Sequence, residues 1–125
     1  MSFDWSDYLT LAKELEEQCL AGACVDAKRR SSISRAYYSV FCLARRYLTV
    51  REHLTTIPED GTAHEVVENE IRLRSTRVAE DLHRLRIARN RADYDDDLEG
   101  LSGVCTKSLS RAETVAHFLK LRLGP

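Results

Sequence analysis

The residues best placed to do chemistry in this chain lie between positions 89 and 94. Arg89 falls on the apolar stripe of a predicted helix, whose other members are Val78, Leu82, Leu85 and Ala92. A guanidinium at such a position must be paired, hydrated in a cleft or placed at an interface, because an unpaired buried charge costs roughly several kcal/mol.

Two interpretations of Arg89 stay open from the spacing alone. In the first, Arg89 lies near the end of the helix. Its aliphatic portion covers apolar surface, and its guanidinium reaches water or Asp93 at i+4. In the second, Arg89, Asn90, Asp93 and Tyr94 together line a polar cleft. Such a cleft suits phosphate, since arginine presents a fork of donors that fits phosphate oxygens.

The elements that position these residues are predicted to be helices. The 125 residues include only five Gly and two Pro, too few for the tight turns of a sheet-rich domain. Apolar periodicity predicts an all-α, up-and-down bundle of four to five helices in one domain, residues 1–125. We place a first helix from a cap at Ser2 or Asp4 to about residues 21–22, and a second over about residues 23–50.

The second half of the chain contains the clearest sequence signals for loops and helix ends. Residues 55–61 (TTIPEDG) predict a loop, followed by a short helix with a capping box between Thr62 and Glu65. A break is expected within residues 74–76, before the helix of Arg89. The acidic run at residues 93–100 predicts a connector, and the last helix is expected over about residues 98–123.

The formal net charge of -1 excludes unspecific attraction of the whole surface to nucleic acid, but the charges are unevenly distributed. No acidic residue occurs between positions 28 and 50, and a second basic block extends from Arg72 to Arg91. The arginines predicted to contact phosphate are Arg35, Arg45, Arg46, Arg86 and Arg91.

No signal peptide or transmembrane segment is apparent, so a soluble, cytoplasmic protein that makes no membrane contact is expected. The four cysteines lack the spacing of a zinc site, and the histidines form no metal-binding motif. We therefore expect reduced, mostly buried thiols and no metal or cofactor.

His64 and Glu68, at i+4, are predicted to form a surface hydrogen bond. Tyr37 and Tyr38 are predicted to pack in the core with their hydroxyls hydrogen-bonded.

Two strings carry a family resemblance: SISRAYYSVFCLARRYL at 32–48 and LHRLRIARNRADYDDDL at 82–98. In this order and at this chain length they resemble the signature regions of small stand-alone bacterial and archaeal proteins of the HEPN superfamily. The resemblance implies a bundle of four or five helices that dimerises and acts on RNA in a toxin-antitoxin or defence system. In active HEPN ribonucleases, an Arg followed by a polar residue, with a His four to six residues after the Arg, forms a composite site across the dimer.

Arg89 and Asn90 match the first half of that motif, whereas positions 93–95 hold Asp93, Tyr94 and Asp95 and no His. This departure bears on catalysis, because RNA cleavage without metal needs groups that move protons near neutral pH. A tyrosine with a reference pKa of about 10 is a poor base, and an aspartate beside an arginine has its pKa lowered. The resemblance therefore implies RNA binding and leaves metal-independent cleavage open.

The family resemblance also implies a role for Tyr94. In the family, a tyrosine near the arginine motif is modified by a partner nucleotidyltransferase, which attaches adenylate, and Tyr94 is the nearest candidate. The alternative function is thus a non-catalytic helical module that binds a nucleotidyltransferase partner or a nucleotide.

Overall fold

The computed structural model describes residues 2–20 and 22–124. Within these residues it contains five helices and no strand: α1 (Asp7–Glu17), α2 (Val25–Val50), α3 (Ala63–Arg72), α4 (Thr76–Tyr94) and α5 (Leu101–Leu123). A single 3₁₀ turn, Gln18–Leu20, extends α1. The predicted all-α bundle is confirmed.

The second helix is the centre of the bundle. α1, α3, α4 and α5 all pack against it, and half of its 26 residues are buried. Small polar residues allow this close packing: the Ser32 hydroxyl donates to the Ala12 carbonyl (2.6 Å) and the Ser39 hydroxyl to the Trp5 carbonyl (2.8 Å). These bonds fasten α1 to α2 and satisfy hydroxyls that burial would otherwise leave unpaired.

Two predicted helix starts are wrong in detail. α1 begins at Asp7 after Ser6, because the Asp4 carboxylate accepts from both the Ser6 N–H (3.0 Å) and its hydroxyl (2.6 Å) and fixes a turn before the helix. Thr62 does precede α3, but its hydroxyl donates to Asp60 Oδ1 and makes no side-chain cap, so the capping box with Glu65 does not form. The expected end of the first helix at residues 21–22 falls partly on residue 21, which lies outside the described residues.

The helix that carries Arg89 begins and ends differently from the prediction. Its start matches the expected break, because Ser75 caps it by accepting from the Val78 N–H (3.2 Å). At the other end, Asp93 and Tyr94 are helical, so the connector covers only residues 95–100 and α5 starts at Leu101. Arg30 holds this connector against α2 by donating to the carbonyls of Ala92 (3.0 Å), Asp95 (2.6 Å) and Asp96 (3.2 Å).

The thiols follow the expected pattern. Cys19, Cys42 and Cys105 are buried, Cys24 is exposed, and all four are free. Burial raises the pKa of Cys105 to about 12, which keeps this thiol protonated. In the part of the chain that the structure describes, no helix has the length and apolar character needed to cross a membrane.

Candidate functional site

Arg89 lies on the face of α4 that meets α2. Its side chain retains 20% exposure, and its guanidinium lies 5.3 Å from the centre of the Tyr37 ring. Nη1 lies 3.8 Å from Asp93 Oδ2, so the predicted i+4 pair forms. Asp93 also accepts from the buried Ser34 hydroxyl (3.2 Å), which ties the end of α4 to α2. Arg89 is thus positioned by an aromatic ring and a fixed carboxylate, with part of its head still open to solvent.

A tyrosine–histidine pair lies beside this guanidinium. Tyr37 Oη and His64 Nδ1 are 2.6 Å apart, and the His64 ring stacks on Phe41 with ring centres 4.4 Å apart. Sequence reasoning missed this pair, because 27 positions separate two residues on different helices. The only sequence signal is the lone His64 at the start of α3, and helical spacing suggests a partner for it on the same helix, Glu68.

Burial keeps both partners of this pair neutral near pH 7. Partial burial, followed by the positive charges of Arg89 and Arg86, lowers the pKa of His64 below its ordinary value. Burial raises the pKa of Tyr37 well above that of a free tyrosine. The pair is therefore an uncharged imidazole bonded to a protonated phenol.

Glu68 fixes Arg86 next to this pair. Its side chain is only 8% exposed, with Oε2 3.1 Å from Arg86 Nη2 and Oε1 2.5 Å from His83 Nδ1. The predicted surface hydrogen bond between His64 and Glu68 is therefore wrong. The reason is that Glu68 faces α4, where cationic side chains offset the cost of its burial, while His64 turns toward α2.

His64 also forms part of the wall of a cleft of about 670 Å³. The cleft lies between α2, the start of α3 and the preceding loop. Phe41, Leu54, Ile57 and Pro58 make it partly apolar, Arg45 adds a positive charge, and Glu59 and Asp60 lie along its loop side. An aromatic wall beside cationic groups is the arrangement that proteins use to hold a base next to its phosphate.

The remaining predicted phosphate contacts are dispersed. The Arg35 guanidinium lies over the rings of Tyr8 (5.3 Å) and Tyr38 (5.0 Å), and Arg45 lies over those of Trp5 (5.8 Å) and Phe41 (5.7 Å). Arg46 lines a different cleft, of about 600 Å³, with Lys120. Of the predicted phosphate contacts, Arg86 and Arg45 therefore lie next to His64, whereas Arg35 and Arg46 lie elsewhere on α2.

Three predicted site residues lie outside the face of Arg89. Asn90, Arg91 and Tyr94 are exposed, and Tyr94 keeps 75% of its surface. Arg91 Nε lies 3.4 Å from Asp95 Oδ2 on the outside of the helix. Positions one, two and five residues after Arg89 point away from it at about 100° per residue, so the structure does not bring the four predicted residues 89, 90, 93 and 94 into one cleft.

Among residues 2–20 and 22–124, no three His, Cys, Asp or Glu side chains converge in a way that could hold a metal ion.

Comparison of the chain with family models, curated proteins and solved structures gives no match. The proposal below therefore depends on the geometry: His64 and Arg45 line a partly apolar cleft, and the charges of Arg86 and Arg89 act on His64. Chemically, this arrangement can bind a phosphate group.

Proposed function

We propose that this protein binds RNA, with a backbone phosphate at Arg86 and Arg89 and the adjoining nucleotide in the cleft lined by Phe41 and His64. The observation that carries the proposal is the position of Arg89, which lies over Tyr37, remains partly exposed and lies near an uncharged histidine. Its guanidinium has donors left for phosphate, because its contact with Asp93 is a single one of 3.8 Å.

The charges around the cleft support a defined orientation of the strand. Glu59 and Asp60 repel phosphate on the loop side, whereas Arg86 and Arg89 attract it near α4. A base then enters toward Phe41 and His64, where stacking is tolerant of sequence. The net charge of -1 does not oppose this, since a ligand responds to charges within a Debye length of about 8 Å at physiological salt.

The choice of RNA over DNA rests on the resemblance to the HEPN superfamily, as do the homodimer and the toxin-antitoxin or defence setting that belong to the same proposal. In that setting the arginine of the motif binds the RNA strand. Here Arg89 has this role and Asp93 holds it in place through the pair at i+4.

Fluorescence anisotropy with a labelled single-stranded RNA oligonucleotide at low salt tests the proposal. Arg89→Ala is expected to weaken binding about tenfold, the size of one lost charge-assisted contact. Arg91→Ala is the matched control, since this exposed arginine lies on the same helix and pairs only with Asp95. Failure of the wild type to bind RNA, or equal losses in both variants, would overturn the proposal.

A specific observation favours a second candidate function, that of a helical module for a nucleotidyltransferase partner. Tyr94 is 75% exposed, so its hydroxyl is accessible for modification. Co-expression with a nucleotidyltransferase encoded next to this chain tests this candidate. A stable complex, together with the mass increase of one adenylate that Tyr94→Phe abolishes, would support it, and the absence of both would exclude it.

A further inference from the structure

We propose that the RNA strand bound at the cleft continues onto a second surface, where unpaired bases stack on an aromatic platform. The platform lies where the start of the chain and the first turn of α1 meet α2, and it consists of the rings of Phe3, Trp5, Tyr8 and Tyr38. The inference rests on the proposed function, since the cleft must hold one end of the strand. It makes the ligand a single strand, because the bases of a duplex stack on one another and offer no free face to a ring.

The rings of the platform form one connected cluster. The centres of the Trp5 and Tyr8 rings lie 6.1 Å apart, and those of Tyr8 and Tyr38 lie 5.6 Å apart. Phe3 lies 5.0 Å from Trp5 and is 49% exposed, while the other three rings are half-buried. Trp5 and Tyr38 also pack against the edge of the main core, which supports the cluster. Partly exposed rings on such a support can stack with bases of any sequence, since every base has a π-face.

Two arginines lie over these rings, and no carboxylate neutralises their charges. The Arg35 guanidinium lies 5.3 Å from the centre of Tyr8 and 5.0 Å from that of Tyr38, and Arg45 lies 5.8 Å from the centre of Trp5. In the described part of the chain, neither guanidinium forms an ion pair with a carboxylate. Beyond its first turn, α2 contains no acidic residue. Each guanidinium therefore keeps N–H donors for phosphate oxygens.

Arg45 connects the platform with the cleft. Its guanidinium lies 5.7 Å from the centre of Phe41, which lines the cleft, as well as over Trp5. Arg35, Tyr38 and Arg45 fall within about a quarter turn of one another around α2, so they share one side of this helix. Arg35 and Arg45 are about 15 Å apart along the helix axis, the length of about four nucleotides stacked at about 3.4 Å. A strand that leaves the cleft at Arg45 thus meets rings and cations along its path.

The uncompensated charge favours a nucleic acid over a protein as the occupant of the platform. Tryptophan, tyrosine and arginine are also common at the centre of protein interfaces. Here, however, both arginines lie over rings, so a base stacked on the platform has its phosphate close to a guanidinium. The platform is also continuous with the proposed RNA cleft through Arg45.

Fluorescence anisotropy at low salt with two labelled single-stranded RNAs, a tetranucleotide and a decamer, tests the platform. Tyr8→Leu keeps an apolar side chain but removes the ring face, so we expect about tenfold weaker binding of the decamer and less than about a twofold change for the tetranucleotide. Phe118→Leu is the matched control, because this ring on α5 also has an arginine over it, Arg122 at 3.5 Å, but lies outside the platform and the cleft. It should bind both RNAs like the wild type.

Arg35→Gln provides a second variant that leaves every ring in place. It should weaken binding of the decamer about fivefold and reduce the salt dependence of the affinity by about one phosphate contact. Arg122→Gln, its matched control, should change neither quantity. Thermal melts of the four variants check that each is folded.

The outcomes separate the platform from the proposed function. If the wild type binds neither RNA, both proposals fail. If Tyr8→Leu and Arg35→Gln bind the decamer like the wild type while Arg89→Ala weakens it, the platform fails and the cleft stands. An equal loss in Tyr8→Leu for a duplex of the same sequence would show that the ring does not select unpaired bases, and would overturn the inference. A dimer in light scattering that Tyr8→Leu converts to a monomer, with unchanged affinity for the decamer, would assign the platform to contacts between copies and overturn it as well.

Discussion

The two sides of α4 carry the same residue type and differ in what surrounds it. On the inner side, Arg86 and Arg89 have side chains that are 25% and 20% exposed. On the outer side, Arg84 and Arg91 are 56% and 51% exposed, and each forms a surface pair with a carboxylate four residues away. Because charges interact more strongly where water is partly excluded, the inner arginines should interact more strongly with a charged partner than the outer ones.

The partners of the inner arginines come from other helices. Arg86 pairs with Glu68 on α3, and Arg89 lies over Tyr37 on α2. The outer arginines pair within α4 or at its end, with Glu80 and Asp95. The inner arginines are thereby linked to the tertiary fold and to His64, whereas the outer arginines pair only with carboxylates of α4 or of the residue after it. Substitutions on the two sides should differ accordingly.

The largest difference is expected for the carboxylates. Glu68→Gln should lower the free energy of unfolding by about 3 kcal/mol, because it leaves Arg86 and His83 beside a buried site that no longer holds a negative charge. Glu80→Gln should cost less than about 1 kcal/mol, as expected for the two exposed pairs that Glu80 forms with Arg84 and Arg72. Urea denaturation of both variants measures the difference, and equal losses would show that the two sides are energetically alike.

A conservative change of arginine should separate the two sides in RNA binding. Arg89→Lys keeps the charge but loses the forked donor and the planar contact with Tyr37, so we expect about fivefold weaker binding. Arg91→Lys should leave the affinity unchanged. Fluorescence anisotropy at low salt measures the RNA affinity of both variants. A larger loss of affinity in Arg91→Lys than in Arg89→Lys would contradict the expected difference between the two sides of α4.

The tyrosines of the two sides offer a smaller contrast. Tyr37→Phe removes a buried hydrogen bond to His64 and should destabilise the fold by about 1 kcal/mol. Tyr94→Phe removes an exposed hydroxyl and should have no measurable effect. Thermal denaturation of the two variants at neutral pH checks this difference. Equal melting temperatures would mean that the hydrogen bond between Tyr37 and His64 contributes nothing to stability.

The pH dependence of stability should show the smallest effect. Because the folded protein lowers the pKa of His64 below its unfolded value of about 6.5, the unfolded chain binds more protons in that range. The contribution of His64 is therefore complete above pH 6.5 and is lost as the pH falls from there through the folded pKa. The wild type should lose stability relative to His64→Asn between pH 7.5 and 5, while His117→Asn should follow the wild type.

The sequence predicted the helices and one contact of the site. Periodicity located α2 and α4 because each buries a regular stripe, and the pair between Arg89 and Asp93 follows from their spacing. The sequence also suggested that Asn90 and Tyr94 belong to the site, because residues close along the chain were expected to be close in space. Their exposure follows from the helix rotation alone, which the extension of α4 through Tyr94 imposes.

The rest of the site depends on packing between helices. His64 meets Tyr37, and Glu68 meets Arg86, only because α3 lies across α2 and α4. No local spacing encodes that crossing. Single residues also decided the errors at helix ends: Asp4 and Asp60 bind the hydroxyls of Ser6 and Thr62, and these local bonds compete with the predicted caps.

The central claim is that RNA is bound on the inner side of α4, against His64. A long-range ¹H–¹⁵N NMR spectrum of the imidazoles, recorded while a single-stranded RNA oligonucleotide is added, tests it most directly because it resolves each ring nitrogen. We expect the ring-nitrogen resonances of His64 to shift with RNA, while those of His53 and His117 stay unchanged. RNA binding that leaves His64 unaffected, or that moves His117 instead, would contradict the claim.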